Sequence, residues 1–164
     1  MSYDKLDSSA QTLLQILCFL HYEGITEEIF KRASLCDLEK LNDLDLEIQV
    51  VKLLSNVGKQ DSKWNSLLFQ ELIGDNKSYS LIEFDDQNQL YSMHPLVQHW
   101  CAWSLGQKQN DIQKCVLSII GLSISLTVNS DDYKYQHVVL QHVSSAIDGF
   151  KSEDINVFIL EIIA

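Results

Sequence analysis

The sequence predicts a mainly α fold in which three to four helices lead into a two-stranded β-hairpin, and further helices follow as the start of an α-solenoid. Three observations predict it. Apolar residues recur at spacings of three and four along most of the chain, the pattern that lines one face of a helix. Residues 80–100, SLIEFDDQNQLYSMHPLVQHW, instead hold two short apolar runs around a polar break with turn chemistry. The sole proline, Pro95, follows that second run, where its missing N–H suits the first turn of a helix.

In chain order, Asp7 or Ser8 is placed to cap a first helix, its side-chain oxygen accepting from the unpaired N–H groups of the first turn. The helix is expected to reach about Tyr22. Its apolar face is Leu6, Ala10, Leu13, Leu17 and Leu20, widened by Leu14, Ile16, Cys18 and Phe19, with Gln11 and Gln15 toward solvent. A face that wide belongs to a core helix with neighbours on two sides. Gly24 ends the segment, and Thr26 caps a shorter helix through Ile29, Phe30 and Ala33 whose early Glu27 and Glu28 suit a helix N-terminus. Residues 35–43 show no clear period. A third helix is expected over residues 44–57 on Leu46, Val50, Leu53, Leu54 and Val57, then a loop over residues 57–62.

From Lys63 the pattern is helical again through Trp64, Leu67, Leu68, Leu72 and Ile73, up to a breaker at Gly74, Asp75 and Asn76. The hairpin comes next: Leu81, Ile82 and Phe84, a turn over residues 85–89, then Leu90, Tyr91 and Met93. After Pro95, the residues Leu96, Val97 and Trp100 share one helical face. Residues 106–111 separate this helix from one carrying Ile112, Val116, Ile119, Ile120 and Leu126. A polar break at residues 129–132 precedes a helix over 133–147 with Tyr135, Val138, Val139, Leu140, Val143 and Ile147 apolar. Gly149 closes it, and Ser152 caps a last helix with Ile155, Phe158, Ile159, Ile162 and Ile163. Two units are expected: residues 1–105, and residues 106–164 as the start of a helical repeat region too short to be stable without neighbours or a cap.

At 164 residues and 46% apolar composition the chain can bury a sizeable core. Its net charge is −11, spread without an acidic block, and Arg32 is its one arginine. Arginine is the side chain best suited to bidentate recognition of phosphates and bases, so nucleic acid is not the expected main partner. Three helices and then a hairpin is nevertheless the element order of a winged helix, with the helix from Trp64 in the position that reads DNA in DNA-binding members. A DNA-binding winged-helix regulator is therefore the alternative reading. Against it, Glu71 and Asp75 offset Lys63 and Lys77, and the hairpin tip carries Asp85 and Asp86 where a DNA-binding wing carries cations.

No basic segment leads into an apolar core at the N-terminus, so a cytoplasmic address is expected; residues 112–126 are too polar and short for a membrane span, and no membrane partner is expected. The four cysteines, Cys18, Cys36, Cys101 and Cys115, lack C-x-x-C pairing and read as reduced, buried thiols. The six glycines, at 24, 58, 74, 106, 121 and 149, form no G-x-x-x-x-G-K-[ST] loop, and no nucleophile stands at a meaningful spacing from a base. No catalytic residue, cofactor or metal site is assigned, and the chain is expected not to be an enzyme. His94, His99 and Cys101 match no zinc spacing, and His137 and His142, five apart, diverge as solvated or edge histidines. His94 stands where strand becomes helix. Its ring either bonds a neighbouring carbonyl and fixes the hairpin on the helix, or points at an anionic ligand held by another domain.

The run SMHPLVQHW, preceded by KSYSLIEFD and by SYDKLDSSAQTLLQILCFLHYEGITEEIF, resembles the winged-helix part of fungal NB-ARC proteins with tetratricopeptide-type repeats, which are NOD-like members of the STAND class of signalling NTPases. The match covers residues 2–105. DDYKYQHVVLQHVSSAI resembles the opening helices of the repeat array in the same proteins. The resemblance implies a non-catalytic regulatory and protein-interaction segment that couples a nucleotide-binding domain to a helical repeat sensor. In that family a Met-His-Asp motif places its histidine near the phosphates of ADP held by a P-loop domain. Met93 and His94 match the first two positions, which implies an ADP-phosphate contact by His94 if a P-loop domain is supplied; Pro95 stands in place of the aspartate. The implied partner is a protein, the nucleotide-binding domain or a repeat-binding protein. The chain is expected to be a fragment of a longer gene product or a truncated relative.

Overall fold

The computed structural model describes residues 3–35, 48–58, 64–124 and 130–148. They form a mainly α fold with one two-stranded antiparallel hairpin. Helix α1 spans Ser8–Leu17, and the Asp7 carboxylate caps it by accepting from the N–H groups of Ser9 and Ala10 at 2.7 and 2.8 Å. It stops five residues before Tyr22: the Phe19 and Leu20 N–H groups close it with tighter bonds to Ile16 O and Leu17 O at 3.2 and 3.1 Å, and the chain beyond bonds across the fold, Leu20 O to the Gln98 side chain, Tyr22 O to Met93 N–H, Gly24 O to His142. Leu13, Leu14, Ile16, Leu17 and Leu20 are all buried, as a helix with neighbours on several sides requires. Gln11 and Gln15 are half-buried rather than solvated. Their amides hold a short turn, Tyr3–Lys5, against the helix, Gln11 Nε2 donating to Tyr3 O and Gln15 Nε2 to Tyr3 Oη.

Gly24, at φ +74°, turns the chain into α2, Glu27–Leu35, where Thr26 Oγ1 accepts from Glu28 N–H at 3.3 Å. Helix α3 is described over Ile48–Gly58 and buries Leu53, Leu54 and Val57; the expected start at Leu44, Leu46 and most of the loop after Gly58 lie outside the described residues. Helix α4, Ser66–Ser78, is capped by Asn65 Oδ1 accepting from Leu68 N–H. It runs straight through Gly74, Asp75 and Asn76. The expected break fails because Asn76, fully buried, donates from Nδ2 to Ala10 O and Leu72 O at 3.1 and 2.9 Å and so fastens the helix to α1. The apolar stripe is also rotated from expectation: Phe69 packs on Phe30, Trp64 and Tyr91, while Leu67 faces out.

Strands β1, Glu83–Asp85, and β2, Leu90–Ser92, pair antiparallel with Phe84 opposite Tyr91. Ile25 adds a bridge on the other edge of β2, exchanging hydrogen bonds of 3.0 and 2.8 Å with Tyr91. The segment between α1 and α2 therefore joins the same small sheet. Helix α5, Pro95–Ser104, follows with Pro95 in its first turn. Its buried side is Cys101, with Val97 and Trp100 half-buried, whereas Leu96 lies outside, because β2 and the turn before α2 occupy the side from which the helix starts.

A short turn, Gly106–Lys108, is all that separates α5 from α6, Gln109–Ser123. Ile112, Val116, Ile119 and Ile120 are buried, and α6 packs chiefly along α2. Helix α7, Ser130–Ile147, begins inside the expected polar break and lies on α6. Its inward face is Tyr135, Val139, His142 and Ala146, so Val138 and Leu140, expected inside, are exposed. Arg32 of α2 places its guanidinium 4.0 Å from the Tyr135 ring, which ties α7 to the first helices as well. The buried apolar side chains form a single core from Leu6 to Ala146. Leu126, Gly149 and the expected last helix lie outside the described residues. Among the described residues no helix is long and apolar enough to cross a membrane.

Candidate functional site

His94 is the N-cap of α5. Its Nδ1 accepts the Leu96 N–H at 3.1 Å, and its carbonyl accepts from Val97 and Gln98 at 2.9 and 3.0 Å. The ring therefore satisfies a backbone donor rather than a carbonyl, the reverse of the expected bond. Accepting at Nδ1 places the hydrogen of the neutral ring on Nε2, at the exposed outer end of the side chain. Met93, one residue earlier, is buried and hydrogen-bonded to Tyr22 O at 2.8 Å, so the exposed imidazole stands on a fixed base. This arrangement can donate one hydrogen bond to an acceptor beside a helix N-terminus, where partial positive charge collects.

His99 is exposed like His94, while Cys101 is fully buried against Leu14 O, so these three side chains do not converge. Further along α5, Leu96 and Trp103 are each 75% exposed and lie seven residues apart on one face. That outward apolar stripe begins next to the His94 ring.

A second feature is a cleft of about 820 Å³ between the start of α2, α4 and the hairpin. Glu27, Glu28 and Asp86 supply acid to its walls, Lys31 and Lys77 base, and Trp64 and Tyr91 aromatic surface. The charges are largely engaged locally. Glu28 pairs with Lys31 and Arg32 at 3.3 and 3.0 Å, Glu27 accepts from the Trp64 indole N–H, and Lys77 sits 5.0 Å above the Phe84 ring. Lys77 is the one basic side chain of α4, beside Glu71 and Asp75, and Lys63 lies outside the described residues. Asp85 is a turn residue: its carboxylate accepts from Asn88 Nδ2 and Gln87 N–H at 2.6 and 2.9 Å, which holds it below the usual carboxylate range.

The third feature escaped sequence reasoning. His142, expected at an edge, is fully buried and clamps α7 to the turn between α1 and α2. Its Nδ1 accepts the His21 N–H at 3.1 Å and its Nε2 donates to Gly24 O at 3.0 Å, both of which the neutral ring can satisfy at once. Burial pushes the ring down to about 4, against the smaller opposing effect of the Gly24 carbonyl. Gln141 adds a bond from Nε2 to Glu23 O at 3.3 Å. The one sequence signal for it was its spacing, since residue 142 continues the series 135, 139, 146 on the inward face. His137 points outward and meets Tyr133 at 3.0 Å.

The turn over residues 20–24 is thus bonded by Met93 at the end of the hairpin, by α5 and by α7 together, with His94 and the Leu96–Trp103 stripe on the outward side of the same junction. Among the described residues no group of three or more histidine, cysteine or acidic side chains could hold a metal. The family described as a domain of unknown function, DUF7779, matches residues 1–110. No curated protein and no solved structure matches the chain.

Proposed function

Starting from the chain's membership of the DUF7779 family, whose description assigns no activity, we propose that it is a non-catalytic regulatory and protein-interaction segment of the STAND type, working in the cytoplasm. In this reading residues 1–105 act as a winged helix and α6 and α7 as the first helices of a repeat array, joining a nucleotide-binding domain to a helical sensor. The observation that carries it is the outward side of α5, where the exposed His94 ring and the Leu96 and Trp103 side chains present one hydrogen-bond donor and an apolar stripe on a rigidly held helix. Large apolar side chains aligned on an exposed face mark protein contact more often than chance. The sheet order supports the winged-helix reading, because Ile25, β2 and β1 lie side by side and the pairing joins the first inter-helix segment to the hairpin. The His94 Nε2 hydrogen then serves as a donor to an ADP phosphate held by the partner domain, with protein contacts supplied by Leu96 and Trp103.

The test is titration of the purified chain with a separately produced NB-ARC domain carrying ADP, read by amide NMR. Shifts confined to residues 94–103 support the reading. ATP hydrolysis by the chain alone would overturn it, and so would salt-dependent binding of duplex DNA lost on Lys77→Glu, which would move the partner to nucleic acid and the site to α4.

A further inference from the structure

Cys18 and Cys101 are far apart in sequence, one in the turn that ends α1 and the other on the buried side of α5. The fold brings them to the same carbonyl. Leu14 O accepts the Cys18 N–H at 3.0 Å and also contacts the Cys101 Sγ at 3.9 Å. The Cys18 Sγ lies 3.1 Å from the neighbouring carbonyl, Gln15 O, so the two thiols rest on adjacent carbonyls of one helical turn. Both side chains are buried, Cys101 completely and Cys18 nearly so, and both are free thiols. Ordinary core cysteines are small apolar fillers and have no need to meet.

We propose that Cys18 and Cys101 form a redox pair, and that their oxidation to a disulfide by a peroxide locks α5 onto the end of α1. A disulfide needs its sulfurs at about 2 Å and its Cβ atoms near 4 Å, a closure open to thiols that rest on adjacent carbonyls of one turn when α5 shifts against α1. The chemistry balances in two steps. Peroxide oxygen is transferred to one thiol, giving a sulfenic acid and water. The second thiol then attacks that sulfur, forming the S–S bond and releasing a second water. Net, the peroxide O–O bond and both S–H bonds break, the sulfurs are oxidised and the peroxide is reduced.

Cys18 is the thiol that meets the oxidant first, because it lies in the turn beyond the helix and retains slight exposure whereas Cys101 has none. The neighbouring Cys101 side chain, and then burial, push the Cys18 thiol well above its ordinary range and keep it protonated. Reaction is therefore slow in the closed fold and proceeds through transient lifting of α5 from α1, so the lock records how often that helix opens. The consequence falls on the surface already described: His94, Leu96 and Trp103 ride on α5, and oxidation would fix that helix in one position. The proposal holds whatever partner α5 meets.

The experiment treats the reduced full chain with hydrogen peroxide, alkylates the remaining thiols in denaturant and maps the peptides by mass spectrometry. The expected result is a peptide containing Cys18 linked to one containing Cys101, with a rise in melting temperature that a dithiol reductant reverses. The Cys36→Ser/Cys115→Ser double variant should retain both. In Cys101→Ser the link and the temperature rise should vanish, and a dimedone probe should trap the stranded sulfenic acid at Cys18. The map of the unsubstituted chain decides the matter should that variant fail to fold. Full alkylation of Cys18 and Cys101 after peroxide treatment that has oxidised other sites, or a link formed only in denaturant, would overturn the proposal.

Discussion

The Nδ1 of His142 accepts the backbone N–H of His21 across 121 positions of sequence, at 3.1 Å and inside the protein. The opposite nitrogen donates to Gly24 O, so a single imidazole satisfies two backbone groups of one turn. That turn also receives the Met93 N–H, just after β2, and the Gln98 amide from α5. It is the place where the early helices, the hairpin and α7 are mechanically joined, and the neutral His142 ring is the fully buried titratable group in the joint.

The folded ring titrates at about 4, below its ordinary 6.5. As pH falls, the unfolded chain takes up the proton first, so the stability from this site is complete above pH 6.5 and is lost through the window down to about 4. The shift corresponds to roughly 3 kcal/mol over that window. His142→Phe removes the titration, and it costs about 2 kcal/mol at neutral pH by leaving the His21 and Gly24 groups without their ring partner. Urea midpoints measured from pH 7.5 to 4 should therefore converge for the two proteins as the pH drops and cross before pH 4, since a loss of roughly 3 kcal/mol exceeds a difference of about 2 kcal/mol. Parallel curves would show that His142 does not titrate differently on unfolding.

His94 caps α5 through Nδ1, and replacing a capping side chain with alanine costs about 1 kcal/mol. His94→Ala should lower the unfolding midpoint by that amount. His94→Asp should restore it, since aspartate is a good cap, yet it places a negative charge where an anion is proposed to sit. Retained stability with lost ADP-dependent association in His94→Asp would separate the two roles; equal association would remove the phosphate contact from the proposed function.

The local devices were legible because each acts within one or two residues of itself. Asp7, Thr26 and Pro95 sit where their short side chains or missing N–H are useful, and the turn beginning at Asp85 encodes its own hydrogen bonds. What could not be read is set by partners distant in sequence. The turn that follows α1 is held by Gln98 and His142 from across the fold, and the persistence of α4 depends on Asn76 reaching Ala10 O. Helical periodicity has a further ambiguity, visible at Leu67, Leu96 and Leu140: when apolar residues cover more than half the circumference, two adjacent stripes fit the spacing equally well. Tertiary packing chose the stripes of Phe69, Cys101 and Val139. His94 as the residue at the junction was visible from Pro95; His142, hidden among helix residues of mixed polarity, was not.

Leu96 and Trp103 have little to lose on unfolding because each is 75% exposed in the folded chain. Leu96→Glu and Trp103→Glu should shift stability by no more than about 0.5 kcal/mol. Their effect should appear in association with the proposed nucleotide-binding partner, weakened at least about tenfold if either residue anchors the contact. By contrast Leu54→Ala, in the core, should cost about 2 to 5 kcal/mol without altering the α5 surface directly. A full affinity after both glutamate substitutions would place the partner on another face.

Gly74 and Asn76 lie two residues apart in α4, and substitutions at them should move stability in opposite directions. At Gly74 a Cβ would meet nothing within 4 Å, and the backbone there is already helical, so Gly74→Ala should stabilise by about 0.5 to 1 kcal/mol through the unfolded chain. Asn76 is completely buried and its Nδ2 supplies the bonds to Ala10 O and Leu72 O. Asn76→Leu keeps the approximate size but strips a partner from Ala10 O, a cost of about 2 kcal/mol. Chemical denaturation of the two variants reads both effects. If both destabilised, helix α4 would be held at this point by the flexibility of Gly74, and the amide bridge to α1 would not explain why the helix continues past it.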